Sequence, residues 1–290
     1  MKLLITGHHS QVGQALIQQA AAHNFQVAAY DRSELDIANR AAVLQTVERE
    51  QPAVIINAAA YTAVDKAESE PAAAYAANAE GADNLARAAH AVGAAILHIS
   101  TDYVFNGRTE RPYLETDTPD PQTIYGRSKL VGEQAVQADC PRHIILRTAW
   151  VFGEHGHNFV KTMLRLGRER DSLGVVADQS GAPTYAGHIA ASLLYIAGRT
   201  QTENCPYGLY HFSGSPYTTW HGFAAEIFRR AAEQGILLRS PELRAITTAD
   251  YPTPARRPAD SRLDCSKIHT AFGITPSDWQ SALGNLADYL

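Results

Sequence analysis

The chain has 290 residues, of which 45% are hydrophobic and 19% charged, and this composition excludes disordered and fibrous proteins. Its 25 basic and 30 acidic residues give a net charge of −5, which argues against a broad nucleic-acid-binding face and a polybasic membrane anchor. Three cysteines without a close pair exclude a disulfide framework and suit a reducing compartment, and no apolar stretch is long enough to span a bilayer. We therefore expect a cytoplasmic protein that binds neither nucleic acid nor membrane.

Short apolar segments alternate with longer helical segments through the first half of the chain. Each strand candidate is brief and bounded by Gly, Pro, Asn or Asp, whereas the helix candidates are longer and mostly rich in Ala. This alternation predicts a Rossmann-like, doubly wound parallel sheet of the α/β class, covered by helices on both faces. The predicted strands are residues 2–6, 26–30, 53–57, 95–100 and 143–148, and the predicted helices are residues 11–23, 37–50, 71–92 and 123–138.

After Trp150 the alternation is less regular. Residues 157–170, 185–198, 218–234 and 278–290 are predicted as helices and residues 208–212 as a strand, while the Pro-rich segment 251–262 cannot be helical throughout. We expect this half to add strands to the same sheet and to form a smaller lobe from several segments.

A glycine-containing turn, Gly7-His-His-Ser-Gln-Val-Gly13, follows the first predicted strand and opens the first predicted helix. Glycines let the backbone approach a pyrophosphate, and the helix N-terminus offers free N–H groups to it; Ser10 stands at the middle glycine position. The second predicted strand ends at Asp31, where a carboxylate can accept hydrogen bonds from ribose hydroxyls. An ordinary turn and a capping Asp are the alternatives. The order of these features predicts dinucleotide binding, with Asp31 favouring NADH and Arg32 leaving NADPH open.

A second group of polar residues follows the fourth predicted strand. Thr101 lies at a carboxyl strand end, where such sheets bind ligands, and Tyr125 and Lys129 are four residues apart on one helical face. A nearby ammonium lowers the pKa of a phenol, so we expect Lys129 to lower that of Tyr125. Tyr125 would then donate a proton to a carbonyl as hydride arrives from a nicotinamide, and Thr101 would polarise that carbonyl. A Tyr and a Lys at this spacing are also common as a simple surface pair.

Six longer strings extend this pattern over nearly the whole chain. They are NAAAYTAVDKAESEP from Asn57, STDYVFNG from Ser100, YGRSKLVGE from Tyr125, RTAWVFG from Arg147, DQSGAPT from Asp178 and YPTPARRPADSRLD from Tyr251. In this order they resemble the extended short-chain dehydrogenase/reductase family and, within it, the dTDP-4-dehydrorhamnose reductases. The resemblance implies hydride transfer from NADPH or NADH to C4 of a dTDP-4-keto sugar, in the biosynthesis of dTDP-rhamnose for lipopolysaccharide or other cell-surface polysaccharides. It also implies that residues 1–150 mainly bind NAD(P) and that residues 151–290 mainly bind the sugar nucleotide.

The resemblance also assigns roles to individual residues. A diphosphate suits the bidentate geometry of arginine, although the ARRP segment can equally be fixed by salt bridges, and Trp150 can equally be a core aromatic. The expected catalytic residues are Thr101, Tyr125 and Lys129. The expected cofactor contacts are Gly7, Ser10, Gln11, Val12, Gly13, Asp31, Arg32, Asp36, Ile37, Ala60, Tyr61, Thr62, Tyr125 and Lys129, and the expected substrate contacts are Val64, Asp65, Thr101, Asp102, Tyr103, Tyr125, Trp150 and Arg257.

Two other functions and the assembly remain to be considered. The alternatives are a reductase for a neighbouring dTDP-6-deoxyhexose and a non-catalytic NADP-binding regulatory subunit. Some similar reductases form dimers bridged by magnesium through glutamates of the first helix, the helix after the GAPT string and the C-terminus. The matching positions of this chain offer only Asp288 and the terminal carboxylate, and Mg²⁺ prefers several oxygen ligands. No His pattern typical of a metal site occurs, so we expect no metal and a monomer or a weak, metal-independent homodimer.

Overall fold

A six-stranded parallel sheet forms the centre of the molecule in the computed structural model, which describes residues 1–290. The strands are β1 Lys2–Thr6, β2 Gln26–Tyr30, β3 Val54–Asn57, β4 Ala95–Thr101, β5 His143–Thr148, β6 Val151–Phe152, β7 Ser172–Val176, β8 Ser180–Gly181, β9 Thr184–Tyr185, β10 Gly208–His211, β11 Gly214–Ser215, β12 Thr218–Thr219, β13 Glu242–Ile246 and β14 Ser277–Asp278. The central sheet has the order β2-β1-β3-β4-β5-β10, and every neighbouring pair is parallel. The predicted doubly wound α/β fold is confirmed.

Eleven α-helices accompany these strands. They are α1 Gln11–Ala20, α2 Arg40–Glu50, α3 Val64–Ala67, α4 Pro71–Tyr75, α5 Gly81–Ala91, α6 Ile124–Asp139, α7 Phe159–Glu169, α8 Ala186–Arg199, α9 Trp220–Glu233, α10 Ser266–Phe272 and α11 Trp279–Ala282. Helix α2 begins three residues later than predicted because the Asn39 side chain caps it by accepting from Ala42 N–H. The segment predicted as one helix over residues 71–92 contains a π-helical turn, Ala76–Glu80, between α4 and α5.

Side chains alternate between the two faces of the sheet, and each face is covered by helices. Leu3 and Ile5 pack with α1, α8 and α10 in one apolar cluster, whereas Leu4 packs with α2, α5 and α6 in another. All three side chains are fully buried, as expected for strands between two helical layers. The near-continuous apolar character of these strands is therefore explained by helices covering both faces of the sheet, as inferred from the sequence.

The rest of the second half forms a smaller lobe with its own apolar core. Phe152, Phe223 and Trp279 are central to this core, and α7 and α9 pack against each other around it. Only β10 joins the central sheet; the parallel pair β7 and β13 was not predicted, and the other short strands form separate pairs. The expectation that this half adds strands to the central sheet is therefore met by β10 alone.

Two further comparisons concern the end of the chain. The predicted helix over residues 278–290 is wrong: α11 ends at Ala282, and a 3-10 turn follows at Leu286–Tyr289. Asn285 between them is extended and Gly284 is a poor helix former, which explains the break. The Pro-rich segment contains no helix, as predicted.

No helix of the molecule combines the length and apolar character needed to cross a membrane.

Candidate active site

The turn after β1 brings two backbone segments into close contact. Gly7 has a φ of 73°, and a Cβ at this position would lie 2.6 Å from the Ala59 Cα. A Cβ at Gly13 would lie 2.2 Å from the Gly7 carbonyl oxygen, so both positions require glycine. Ser10 caps α1 by accepting from Gly13 N–H at 3.0 Å. The amino end of α1 is thus held at the carboxyl edge of the sheet, beside the β1–β3 boundary where strand order reverses.

A cavity of about 540 Å³, here called the cofactor cavity, opens at this turn. Asp31 in its wall accepts hydrogen bonds from the Ser33 hydroxyl and backbone N–H, both at 2.7 Å. The hydroxyl contact is the main reason that the pKa of Asp31 is lowered. The cavity is lined by Gly7, His9, Ser10, Asp31, Arg32, Ser33, Leu35, Asp36, Ile37, Ala38, Ala58, Ala59, Ala60, Tyr61, Thr62, Ala73, Ala76 and Ala77. Its size, glycine turn and acidic rim fit a dinucleotide, and nine of the predicted cofactor residues line it.

Five of the predicted cofactor residues lie outside this lining: Gln11, Val12, Gly13, Tyr125 and Lys129. Val12 is buried in the apolar core under the sheet. The Gln11 side chain accepts from Asn158 at 3.0 Å and donates to the Val151 carbonyl at 3.5 Å, so it joins α1 to the second half of the chain. Any contact of Gln11 and Val12 with a cofactor would therefore use their backbone N–H groups at the helix start.

Two histidines of the turn face Asp31, and their role was not recognised from the sequence. His9 Nε2 lies 3.1 Å and His8 Nε2 3.8 Å from the same Asp31 oxygen, and the three groups lie within 4.8 Å of one another. Their place directly after β1 was the available signal, because the ends of β1 and β2 are neighbours in a parallel sheet. Asp31 and His9 thus both line the cofactor cavity, and His8 lies beside Asp31.

The three expected catalytic side chains lie at the carboxyl end of β4 and on the facing turns of α6. Thr101, Tyr125 and Lys129 are all buried, with exposed fractions of 5%, 9% and 2%. Burial raises the pKa of Tyr125 well above its usual value, while a hydrogen bond with Thr101 opposes this. The expectation that Lys129 lowers the pKa of Tyr125 is not met in this structure. The Lys129 nitrogen donates to the Ile99 carbonyl at 2.6 Å.

Asp102 adds a buried carboxyl beside these residues. Its Oδ1 accepts from the Thr101 hydroxyl at 2.9 Å, while its Oδ2 is buried without a hydrogen-bond partner. Burial raises the pKa of Asp102 to about 7. An unpartnered acceptor at this place suits the hydroxyl of a bound sugar.

A second cavity of about 570 Å³, here called the lobe cavity, lies between the sheet edge and the smaller lobe. The rings of Trp150 and Trp220 stack in its wall with centroids 3.6 Å apart and planes 10° apart. Trp150 has a φ of 49°, a left-handed conformation that is costly for a bulky residue and common at functional sites. The cavity is lined by Thr62, Val64, Tyr103, Trp150, Phe159, Thr162, Met163, Leu166, Gly174, Val175, Val176, Gln179, Trp220, Ile246, Tyr251, Thr253, Arg257 and Pro258.

The arginines of the Pro-rich segment have different environments. Arg257 Nη2 donates to Asp65 Oδ2 at 2.6 Å, and its buried Nη1 has no partner. Arg262 pairs with Asp260 at 2.5 Å, whereas Arg256 is exposed. Two of the three arginines, Arg257 and Arg262, are therefore held by salt bridges, which was one of the two expectations for this segment. Only Arg257 also lines the lobe cavity, where its unpartnered nitrogen is available to an anion.

Trp220 and the apolar side chains of α7 are lobe-cavity residues that sequence reasoning missed. Their helices were predicted, but the strands that orient them were not. The apolar spacing on α7 is equally typical of a helix packed on a core, so the sequence held no specific signal for these residues.

Comparison with known proteins agrees with this geometry. The family described as RmlD substrate binding domain matches residues 1–290. A protein of Aggregatibacter actinomycetemcomitans named dTDP-4-dehydrorhamnose reductase is 52% identical over 290 residues, covering 99% of each chain. A dTDP-4-dehydrorhamnose reductase structure from Clostridium acetobutylicum has a TM-score of 0.91 and 41% identity, covering 98% of this chain and 97% of the other. One from Bacillus anthracis, in complex with NADP, has a TM-score of 0.90 and 37% identity, with the same coverage.

Proposed function

We propose that this chain, which belongs to the RmlD substrate binding domain family, reduces the C4 ketone of dTDP-4-dehydro-β-L-rhamnose with NADPH or NADH to give dTDP-β-L-rhamnose. One observation carries the proposal: the cofactor cavity and the lobe cavity share Thr62 as a common wall. At this junction Tyr103 lines the lobe cavity and packs edge-on against Tyr125, with ring centroids 5.5 Å apart. A dinucleotide and a sugar nucleotide bound in the two cavities would therefore meet near a buried phenol.

The residues at this junction divide the work of the reaction. Bound NADPH or NADH supplies the hydride that becomes the new C4–H bond of the sugar. Tyr125 donates its phenolic proton to the ketone oxygen, which becomes the product hydroxyl, and the phenolate is reprotonated from solvent between turnovers. Thr101 would hold the oxygen by turning its hydroxyl from Asp102 to the ketone, and an ammonium form of Lys129 would stabilise the phenolate.

Binding is shared between the two halves of the chain in this proposal. Residues 1–150 mainly hold the cofactor, with the phosphates at the amino end of α1 and the ribose beside Asp31 and Arg32. Because an acid and a cation stand together there, both NADH and NADPH should support turnover. Residues 151–290 mainly hold the sugar nucleotide, with Trp150 against the sugar and Arg257 on the diphosphate.

Replacing Tyr125 tests the chemistry directly. Tyr125→Phe keeps the ring but removes the proton donor, so single-turnover reduction of the natural substrate should slow by at least about 100-fold. Tyr195→Phe, at an exposed tyrosine of α8, is the matched control and should leave the rate unchanged. A near-wild-type rate in Tyr125→Phe would refute the proposal, and NMR analysis of the wild-type product would identify the C4 configuration.

We also propose a cytoplasmic location and a monomer or weak, metal-independent homodimer. Three free cysteines, two of them buried, support a reducing compartment. Helices α1 and α8 carry no carboxylate side chain, so they offer Mg²⁺ none of the charged oxygen ligands that it prefers. Sedimentation with and without EDTA should give the same mass, and a dimer that dissociates in EDTA would contradict this.

A further inference from the structure

A buried chain of polar side chains crosses three neighbouring strands of the sheet and ends at Lys129. The Thr6 hydroxyl on β1 donates to Asn57 Oδ1 on β3 at 2.7 Å, and Asn57 Nδ2 lies 2.9 Å from His98 Nδ1 on β4. His98 Nε2 in turn lies 3.3 Å from the Lys129 nitrogen. All four side chains are at most 2% exposed. The proposed reaction uses only Lys129, so the other three require an explanation.

The direction of these hydrogen bonds is fixed at Asn57 by the backbone. Ala59 N–H donates to Asn57 Oδ1 at 3.1 Å, and a backbone amide nitrogen can only donate. The oxygen of the Asn57 side chain must therefore face Ala59 and Thr6. Its NH₂ group must face His98, so that His98 Nδ1 is the acceptor.

An accepting Nδ1 determines the tautomer of His98. A neutral imidazole carries one N–H, which must then be on Nε2, whereas a protonated ring would turn an N–H toward the Asn57 NH₂ group. The ring is neutral because burial and the neighbouring Lys129 charge both hold the pKa of His98 well below its usual value. His98 Nε2–H therefore points at the nitrogen of Lys129.

This arrangement discriminates between the two protonation states of Lys129. An ammonium has three donors and no acceptor, so it would set N–H against N–H at the 3.3 Å contact. A neutral amine can accept from His98 through its lone pair while it still donates to the Ile99 carbonyl. We propose that His98 is a positioning residue for Lys129: it presents a fixed Nε2–H to the lysine nitrogen and thereby favours the amine over the ammonium.

The other groups around Lys129 do not remove this effect. Burial lowers the pKa of Lys129 to about 8, and Glu133 on the same helix acts in the opposite direction. Glu133 is already held by two hydrogen bonds from Arg147 on β5, at 2.8 and 2.6 Å. The other titratable groups of the candidate active site are the Tyr125 phenol on α6 and, after β4, the Asp102 carboxyl and the Tyr103 phenol, and none of them is hydrogen-bonded to the Lys129 nitrogen. His98 is the ring donor in direct contact with the lysine nitrogen.

The consequence for catalysis rests on the proposed function. Of the two forms of Lys129, only the ammonium carries the positive charge that the proposed reaction uses to stabilise the phenolate formed when Tyr125 gives up its proton. By weakening proton binding at Lys129, His98 would set the pH above which proton transfer becomes slow. The rate of reduction should therefore fall as the pH rises through the titration midpoint of Lys129.

Asn57→Asp tests the inference without touching the reacting residues. A carboxylate can only accept, so it would force the proton of His98 onto Nδ1 and leave an accepting Nε2 for the ammonium. The titration midpoint of Lys129, followed by NMR of lysine labelled at the ε carbon, should rise by about one pH unit, a tenfold change in proton affinity. Spectra of ¹⁵N-labelled histidine should show N–H at Nε2 in the wild type and at Nδ1 in the variant. A Lys129→Met spectrum assigns the lysine signal.

A second pair of variants separates the tautomer from the added charge. In His98→Phe no ring N–H faces Lys129, so its midpoint should rise, and adding Asn57→Asp should then shift it by much less than in the wild-type background. A wild-type His98 protonated at Nδ1, or equal shifts by Asn57→Asp in both backgrounds, would overturn the inference. These spectra are read without substrate, so they are independent of whether the reaction assignment is correct.

Discussion

The two cavities are built from the chain in opposite ways. Every residue that lines the cofactor cavity lies between Gly7 and Ala77, in consecutive strand–helix units. The lining of the lobe cavity extends from Thr62 to Pro258 and combines segments that meet only in the folded molecule. The ion pair of Asp65 with Arg257 joins two such segments across 192 positions of sequence. Substitutions in the first region should therefore change cofactor binding alone, and those in the second should change sugar-nucleotide binding alone.

The largest difference between the effect on cofactor binding and the effect on sugar-nucleotide binding is expected at the glycine turn. In Gly13→Ala the new Cβ would lie 2.2 Å from the Gly7 oxygen and 2.7 Å from the His8 Cα, so the turn must open. We expect NADPH affinity to fall at least about 100-fold and the free energy of unfolding to fall by about 1–3 kcal/mol. Fluorescence titration with NADPH and urea unfolding measure the two effects. The control is Gly198→Ala on α8, where no atom lies within 4 Å of the new Cβ, and it should lower neither the NADPH affinity nor the free energy of unfolding.

Asp102 is buried beside Thr101, and its carboxyl should make stability depend on pH. Burial raises the pKa of its carboxyl to about 7, so the folded protein binds this proton more tightly than the unfolded chain. The carboxyl therefore destabilises the fold increasingly as the pH rises from about 4 to about 7. In urea unfolding, the free energy of unfolding of Asp102→Asn relative to the wild type should increase by about 2 kcal/mol as the pH rises from 5 to 8. Asp171→Asn, at an almost fully exposed carboxyl, should show no such trend.

Arg257 tests the region assembled from distant segments. Arg257→Ala removes the unpartnered Nη1 from the lobe cavity and the 2.6 Å contact with Asp65. The KM for the sugar nucleotide should rise about tenfold, while the NADPH affinity stays unchanged. Arg256→Ala, at the exposed neighbour, should leave both constants unchanged. Weakened NADPH binding in Arg257→Ala would show that the two regions are not independent.

The smallest effect is expected at the stacked indoles. Trp220→Phe keeps an aromatic ring beside Trp150 but reduces the overlap of rings that now lie 3.6 Å apart. We expect the KM for the sugar nucleotide to rise about two- to fivefold. Near-ultraviolet circular dichroism should lose the signal of the indole pair. An unchanged KM together with the lost signal would place the pair outside the substrate site.

The same contrast explains which elements were predictable. The strand bounds of β1 and β5 were predicted to the residue, because each strand is largely buried between the two helical layers and contains a short apolar run. The bounds of β2 were also predicted to the residue, although this edge strand is only partly buried. β7 and β13 were missed because they are largely unburied and pair only with each other, so their sequence carries weak alternation. The terminal helix was predicted too long because its apolar residues pack in the lobe core without a helical backbone at Gly284 and Asn285.

By itself the sequence determined the alternating strands and helices, the glycine turn, Asp31 and the Thr101, Tyr125 and Lys129 set. These features depend on local periodicity and on residue types at short spacing, which are readable along the chain. Only the tertiary structure decided that His8 and His9 face Asp31, that Trp220 stacks on Trp150, and that the Lys129 nitrogen contacts His98 and the Ile99 carbonyl. Such contacts depend on side-chain direction and on which distant segments meet, and neither is encoded in spacing alone.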